Sequence, residues 1–154
     1  MILVSVIIPV YNAELHLKKC IESLLFQTLQ SCEFIFINDG STDASEEIIQ
    51  TYDDSRIIYI KNPENYKLIK TLNIGFSIAK GCYIARMDAD DVSLPHRLEK
   101  QIHLMESSFR CFVETLPTEG VEFYLHHYIR NSERLVYDGK ICPGETRKPW
   151  QVIL

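Results

Sequence analysis

Short apolar runs alternate along this chain with stretches in which apolar positions recur every three or four residues. Val4-Ser5-Val6-Ile7-Ile8-Pro9-Val10 is β-branched almost throughout and predicts a strand buried on both faces. From Glu14 onward, Leu17, Ile21, Leu24 and Leu25 share one helical face while Lys18, Lys19 and Glu22 fall elsewhere. That is the pattern of a helix laid on a sheet, and Asn12 is placed to cap it. The alternation then repeats. Phe34-Ile35-Phe36-Ile37 predicts a second strand, and Asn38-Asp39-Gly40-Ser41-Thr42-Asp43 a turn rich in helix-capping side chains. Asp43 followed by Glu46 has the spacing of a capping box, with Ile48 and Ile49 on the helix it opens. Arg56 to Lys61 predicts a third strand, which Asn62-Pro63-Glu64-Asn65 breaks. Leu68, Ile69, Leu72, Phe76 and Ala79 mark the inner face of a third helix, which Gly81 would end. Cys82 to Met87 predicts a fourth strand, after which Ser93 and Pro95 open a helix with Leu98, Ile102 and Met105 inward.

Strand and helix in strict alternation imply an α/β fold, a doubly wound, mostly parallel sheet covered on both faces. Beyond Ser107 the rhythm stops. Phe109 to Leu116 and Val121 to Ile129 each fit strand or helix, and Ile141 to Trp150 has two prolines and a glycine without periodicity. Residues 1–106 therefore read as one unit, incomplete at its C-terminal side, and 107–154 as a diverged or truncated tail.

Composition narrows the function. At 154 residues the chain holds one domain with a proper core. A net charge of −5 argues against nucleic acid as a partner, because affinity for a phosphate backbone comes from clustered Lys and Arg. The cysteines, Cys20, Cys32, Cys82, Cys111 and Cys142, are odd in number and contain no C-x-x-C pair, which suggests reduced core thiols in a cytoplasmic protein. Ile2 to Val10 is apolar but lacks a cationic lead and a small-residue cleavage site, so no signal peptide is expected. No run reaches the ~18 apolar residues of a spanning helix, and any membrane contact would be peripheral.

The candidate chemistry lies in three loops, each after a predicted strand: Pro9-Tyr11-Asn12, Asn38-Asp39-Gly40-Ser41 and Asp88-Ala89-Asp90-Asp91. Open α/β sheets gather such loops at one crevice along the carboxyl edge. Tyr11 offers an aromatic face to a flat base, Asp39 an acceptor for a base N–H, and Gly40 close backbone approach. Asp90, with Asp88 beside it, offers oxygen ligands to a divalent cation on a diphosphate. Each loop also has a plainer explanation. The first two are good turns or helix starts, and the acidic triplet suits the N-terminus of the next helix. A calcium loop from Asp88 to Glu99 fails, with Ser93 where glycine is needed and Pro95 inside. His96 and His103 are expected at solvent or on the helix flank, the pair His126-His127 has no acidic or Cys partner at ligand spacing, and none is given a metal role. Asp88-Ala89-Asp90-Asp91-Val92 also fits the haloacid-dehalogenase-like phosphohydrolases, in which the first Asp is the nucleophile. Those enzymes resemble this stretch alone, and a later acidic pair for Mg²⁺ is not found.

Taken in order, Val6-Ile7-Ile8-Pro9-Val10-Tyr11-Asn12, Ile37-Asn38-Asp39-Gly40-Ser41-Thr42-Asp43, Leu72-Asn73-Ile74-Gly75 and Ile84-Ala85-Arg86-Met87-Asp88-Ala89-Asp90-Asp91 resemble the family-two glycosyltransferases of the GT-A type. Pro95-x-Arg97-Leu98-Glu99-Lys100-Gln101 continues the likeness, and several ordered motifs together are more specific than any one. The resemblance implies a Rossmann-like GT-A fold and a nucleotide-diphosphate-sugar donor, usually a UDP-sugar. It further implies a divalent metal, Mn²⁺ or Mg²⁺, and inverting transfer to the hydroxyl of a saccharide or lipid-linked acceptor, as in cell-surface polysaccharide synthesis. By position, Pro9 and Tyr11 would line the base pocket, with Asn12 in the same nucleotide-binding loop. Asp39 would bind the base, Asp88 would lie by the ribose or metal, and Asp90 would hold the metal. The family normally supplies its general base as an Asp or Glu on a later element, often in an acidic pair before an Arg- and Trp-containing region. After Met105-Glu106 no such pair occurs. Glu114, Glu119 and Glu122 stand alone, Trp150 lacks the Arg spacing, and Lys67 occupies a position that is usually Gly in the related loop. Two outcomes stay open beside the phosphohydrolase: a transferase whose tail supplies the base, with Glu114 or Glu122 as candidates, or a non-catalytic remnant that binds nucleotide-sugar.

Overall fold

A computed structural model describes residues 1–107 and 151–153. Five parallel strands form one sheet in the order β3-β2-β1-β4-β5. They are β1 (Val4–Val10), β2 (Cys32–Asn38), β3 (Ile57–Lys61), β4 (Tyr83–Arg86) and β5 (Gln151–Ile153). The helices α1 (Glu14–Leu25), α2 (Ser45–Gln50), α3 (Lys67–Ile78) and α4 (Arg97–Ser107) connect or follow the first four strands. This is the parallel α/β sheet that the alternation of strand and helix predicts, and its first four strands match the apolar runs. The short β5 was not anticipated from sequence. Glu114, Glu119, Glu122, Trp150 and the segments Phe109 to Leu116, Val121 to Ile129 and Ile141 to Trp150, for which the sequence raised expectations, lie outside the described residues.

Side-chain alternation divides the core in two, because successive residues of a strand point to opposite faces. Val4, Val6, Ile8 and Val10 of β1 pack with Phe34 and Phe36 against Leu17, Cys20, Ile21 and Leu24 of α1, Ile49 of α2, and Leu98 and Ile102 of α4. Ile7, Ile35, Ile37 and Ile84 point the other way, onto Leu72 of α3 and Ala79. The sheet is thus wound on both sides. Pro9 sits in a central strand without harm: the β1–β4 ladder ends at the Ile7–Arg86 pair, before the missing N–H would be needed.

Several local expectations are corrected. The buried residues of α3 are Thr71, Leu72 and Gly75, whereas Leu68 and Ile69 are exposed. Gly75 sets the helix down close to the sheet: a Cβ there would lie 2.5 Å from Ile7 Cγ2. Gly81 does not end α3, which stops at Ile78 with Ala79 extended at φ −57° and ψ 134°. Its role is close approach, since a Cβ would lie 2.5 Å from the backbone nitrogen of Ser5. Cys20 and Cys32 are free and buried as expected, but Cys82 is disulfide-bonded. Among the described residues no helix is long and apolar enough to cross a membrane.

Candidate functional site

Strand register brings the three loops to one rim. Val10 lies opposite Asn38, and the Asp39 N–H donates to the Val10 carbonyl at 2.8 Å. On the other side of β1, Ile7 lies opposite Arg86, and the Met87 N–H donates to the Ile7 carbonyl at 3.2 Å. Tyr11, Asp39 and the run Asp88 to Asp91 therefore follow three adjacent strands at their carboxyl ends, where open α/β sheets bind ligands. Tyr11 is 54% exposed, its ring free to meet a flat group. Pro9, two residues earlier in β1, is partly buried.

The first two loops are clasped together. Asn12, in the left-handed region at φ 50°, accepts from the Thr42 N–H through Oδ1 at 2.9 Å, while its own N–H donates to Ser41 Oγ at 3.0 Å. It does not cap α1, which opens after Ala13 with no cap from its own loop. The caps come from across the rim. Ser45 Oγ accepts from the Ala13 N–H at 2.9 Å, and Asp43 Oδ2 from the Glu14 N–H at 3.0 Å. Glu14 Oε2 returns a bond to the Ala44 N–H at 3.0 Å. The expected Asp43–Glu46 capping box is replaced by this exchange, because Glu46 pairs instead with Lys61 Nζ at 2.6 Å. Two helix N-termini thus satisfy each other's donors.

Asp39 is buried, 4% exposed. Its Oδ1 accepts from Asn62 Nδ2 at 2.8 Å and from the Tyr66 N–H at 2.8 Å. Asn62 also donates to Thr71 Oγ1 at 3.3 Å. Gly40, at φ 74°, lies so near the same loop that a Cβ would meet Asn65 N at 2.9 Å. Asp39 therefore anchors the 62–67 loop, a role not read from sequence. Burial pushes its pKa upward, but the bonds from Asn62, Tyr66, Thr71 and Lys67 outweigh it and hold the carboxyl below its ordinary 3.8. A carboxylate with a depressed folded pKa stabilises the fold above the unfolded value, and that contribution fades as pH falls through the folded one. Asp39→Asn is expected to flatten the acid limb of the stability curve below about pH 3.8, as read by urea unfolding at successive pH values. An unchanged limb would rule out the anchor.

The acidic loop is held from beneath. Arg86 Nη2 pairs with Asp88 Oδ1 at 2.5 Å, the carboxylate being 48% exposed. Arg97 Nη2 donates to the Arg86 carbonyl at 3.1 Å, and the Asp91 N–H donates to the Asp88 carbonyl at 3.2 Å. Together Arg86, Met87, Asp88, Asp91 and Arg97 line an open cleft. The exit of the loop is fixed by Gln27, 1% exposed, which donates through Nε2 to Ser93 Oγ at 3.1 Å and the Leu94 carbonyl at 2.8 Å. Its Oε1 accepts from the Leu98 N–H at 3.2 Å. Asp90 and Asp91 face solvent. Burial first, then the negative charges of Asp91, Asp90 and Asp88, push the Cys20 thiol up to about 12, so this thiol stays protonated. Among the described residues no group of three or more His, Cys, Asp or Glu could hold a metal ion unaided. Asp88 and Asp90 instead offer hard oxygen donors two residues apart. That suits Mg²⁺ or Mn²⁺, which take one or two carboxylates and complete their shell with water and phosphate.

Asn62, Tyr66 and Arg86 were missed by sequence reading. Arg86 had a signal: it stands two residues before Asp88 at a strand end, hence on the same face. Asn62 had none until β3 was known to flank β2, with Lys61 opposite Asn38.

The family described as glycosyl transferase family 2 matches residues 5–149. An uncharacterized glycosyltransferase of Haemophilus influenzae is 44% identical over 110 residues, covering 69% of this chain and 33% of the relative. The TarS 1–349 fragment of S. aureus, solved with UDP-GlcNAc, superposes with TM-score 0.66 at 23% identity, covering 70% of this chain and 32% of that one. The mannosyltransferase PcManGT of Pyrobaculum calidifontis, solved with GDP-Man and Mn²⁺, gives TM-score 0.60 at 23% identity, covering 66% and 32%. This chain spans 33% to 38% of the length of the first curated relatives it matches. The ground for a phosphohydrolase, which rested on Asp88 to Val92 alone, is thereby removed. With its parallel sheet, its three-loop rim and a family match across most of its length, the chain belongs to glycosyl transferase family 2 and carries the GT-A fold.

Proposed function

We propose that residues 1–106 bind the nucleotide-sugar donor of an inverting glycosyltransferase, in the cytoplasm, with a UDP-sugar as the donor class. The observation that carries this is the convergence of Tyr11, Asp39 and the Asp88–Asp91 loop on one rim. Tyr11, with Pro9 lining the same pocket and Asn12 tying the loop to Ser41 and Thr42, gives the base a flat, braced surface. Asp39, kept ionised by its Asn62 and Tyr66 bonds, accepts a base N–H at its edge. Asp90 and Asp88 hold the divalent metal, which when bound offsets negative charge on the departing nucleotide. Arg86 fixes the Asp88 carboxylate through one oxygen and leaves the other for the metal. The acceptor is a saccharide or lipid-linked hydroxyl, deprotonated by a carboxylate on a later element, Glu114 or Glu122 being the candidates in this chain.

Calorimetric titration with UDP, GDP and CDP, with and without Mn²⁺, tests the reading. Metal-dependent binding of UDP in preference to CDP is expected, because cytosine lacks the ring N–H that Asp39 would accept. Absence of metal-dependent binding by any of the three would overturn it. Donor hydrolysis by the same preparation would show a working transferase. Binding without turnover would mark these residues as a donor-binding unit.

A further inference from the structure

Lys67 and Asn12 are the non-glycine residues with positive φ among those described, at 69° and 50°. Asparagine tolerates that region because its short polar side chain bonds locally, but lysine has no such compensation and is strained there relative to glycine. The conformation is imposed from two sides. Asp39 Oδ1 takes the Tyr66 N–H at 2.8 Å, and Asn65 Oδ1 takes the Lys67 N–H at 2.9 Å. Strained residues held by over-determining contacts cluster where a side chain is needed for binding.

Charge supplies the second, independent observation. The rim carries Asp39, Asp43, Asp88, Asp90 and Asp91. Arg86 is spent on Asp88, and Lys70 sits over the Tyr66 ring, its Nζ 3.3 Å from the centroid. A diphosphate brought to this rim adds further negative charge. Lys67 is exposed and makes no ion pair among the described residues. Its backbone nitrogen adjoins the loop that Asp39 anchors, so its flexible ammonium is rooted beside the crevice.

We infer that Lys67 is a phosphate contact for the nucleotide, a binding residue that holds a strained backbone and places a cation at an otherwise acidic rim. This rests on the nucleotide reading above and adds a residue to it. A lysine ammonium is a point charge on a mobile stem, suited to a phosphate that shifts between bound donor and released diphosphate.

The test uses Lys67→Gln and Lys67→Gly in the full chain, with UDP and uridine each titrated in the presence of Mn²⁺. Lys67→Gln keeps the backbone cost and removes the charge, while Lys67→Gly removes both. Both variants are expected to bind UDP about fivefold more weakly, with uridine affinity unchanged and the UDP difference shrinking at high salt. Lys67→Gly should also melt about 3 °C higher than the parent, so stability and affinity move in opposite directions. UDP affinity unchanged in both variants overturns the assignment while leaving the nucleotide reading intact. Equal loss of uridine and UDP overturns it too, by showing a distorted base loop. Failure of the parent chain to bind UDP or GDP at all overturns the nucleotide reading, and this inference with it.

Discussion

Asp90→Asn is expected to abolish the Mn²⁺-dependent part of nucleotide binding, lowering UDP affinity in saturating Mn²⁺ by about 100-fold while the melting temperature stays where it was. The separation follows from how the two acidic side chains are used. Asp90 faces solvent and makes no hydrogen bond or ion pair among the described residues, so an isosteric amide there removes a hard ligand and disturbs nothing else. Asp88 is different: its Oδ1 holds Arg86 at 2.5 Å, and Arg86 in turn gives its carbonyl to Arg97. Asp88→Asn should therefore weaken both metal binding and the loop itself. Titrations of each variant with UDP, with and without Mn²⁺, beside thermal melts, distinguish the two. Should Asp90→Asn retain the parent's Mn²⁺ response, the metal cannot sit at this loop.

How much of this was legible beforehand depends on whether a contact is local or crosses strands. The four strands and their helices were readable because apolar periodicity is a property of neighbouring residues. The rim was readable too, since parallel strands joined by helices must put their following loops on one edge. What failed were the details fixed by distant partners. Asn12 had the side chain of an N-cap yet bonds Thr42, and Asp43, which does accept the Ser45 N–H at the start of α2, also reaches Glu14, because the two loops lie close enough to exchange caps. Gly81 looked like a helix stop, yet it is needed to let β1 pass. Leu68 and Ile69 fit the apolar helical line but lie in the first turn of α3, next to the Asp39-anchored loop, where they are not covered by the sheet. Asp39 was singled out for its carboxylate, and its grip on Asn62 and Tyr66 became visible only with β3 placed beside β2.

Glu33→Ala is expected to destabilise the chain by about 3 kcal/mol, a large loss for a polar residue remote from the rim. Glu33 is the second residue of β2, 3% exposed, opposite Ser5 of β1. Its Oε1 accepts from Ser5 Oγ at 2.5 Å and from the Lys80 N–H at 2.7 Å, and Ser5 Oγ accepts from the Gly81 N–H at 2.8 Å. One carboxylate thus ties two strands to the turn that launches β4, at a point where Gly81 leaves no room for a side chain. Truncation strands the Ser5 hydroxyl and the Lys80 N–H without their acceptor, and an unpaired buried donor costs more than the bond it once made. Glu33→Gln, which keeps an acceptor oxygen in place, should cost about 1 kcal/mol. Because these residues lie at the amino edge of the sheet, opposite the rim, the folded fraction of either variant should bind UDP and Mn²⁺ as the parent does. Urea unfolding at neutral pH measures the first effect and titration under native conditions the second. A Glu33→Ala chain as stable as its parent would show that the network is incidental. A stable variant with impaired nucleotide binding would show that the two edges of the sheet are coupled, contrary to the separation of stability from function that the parallel architecture implies.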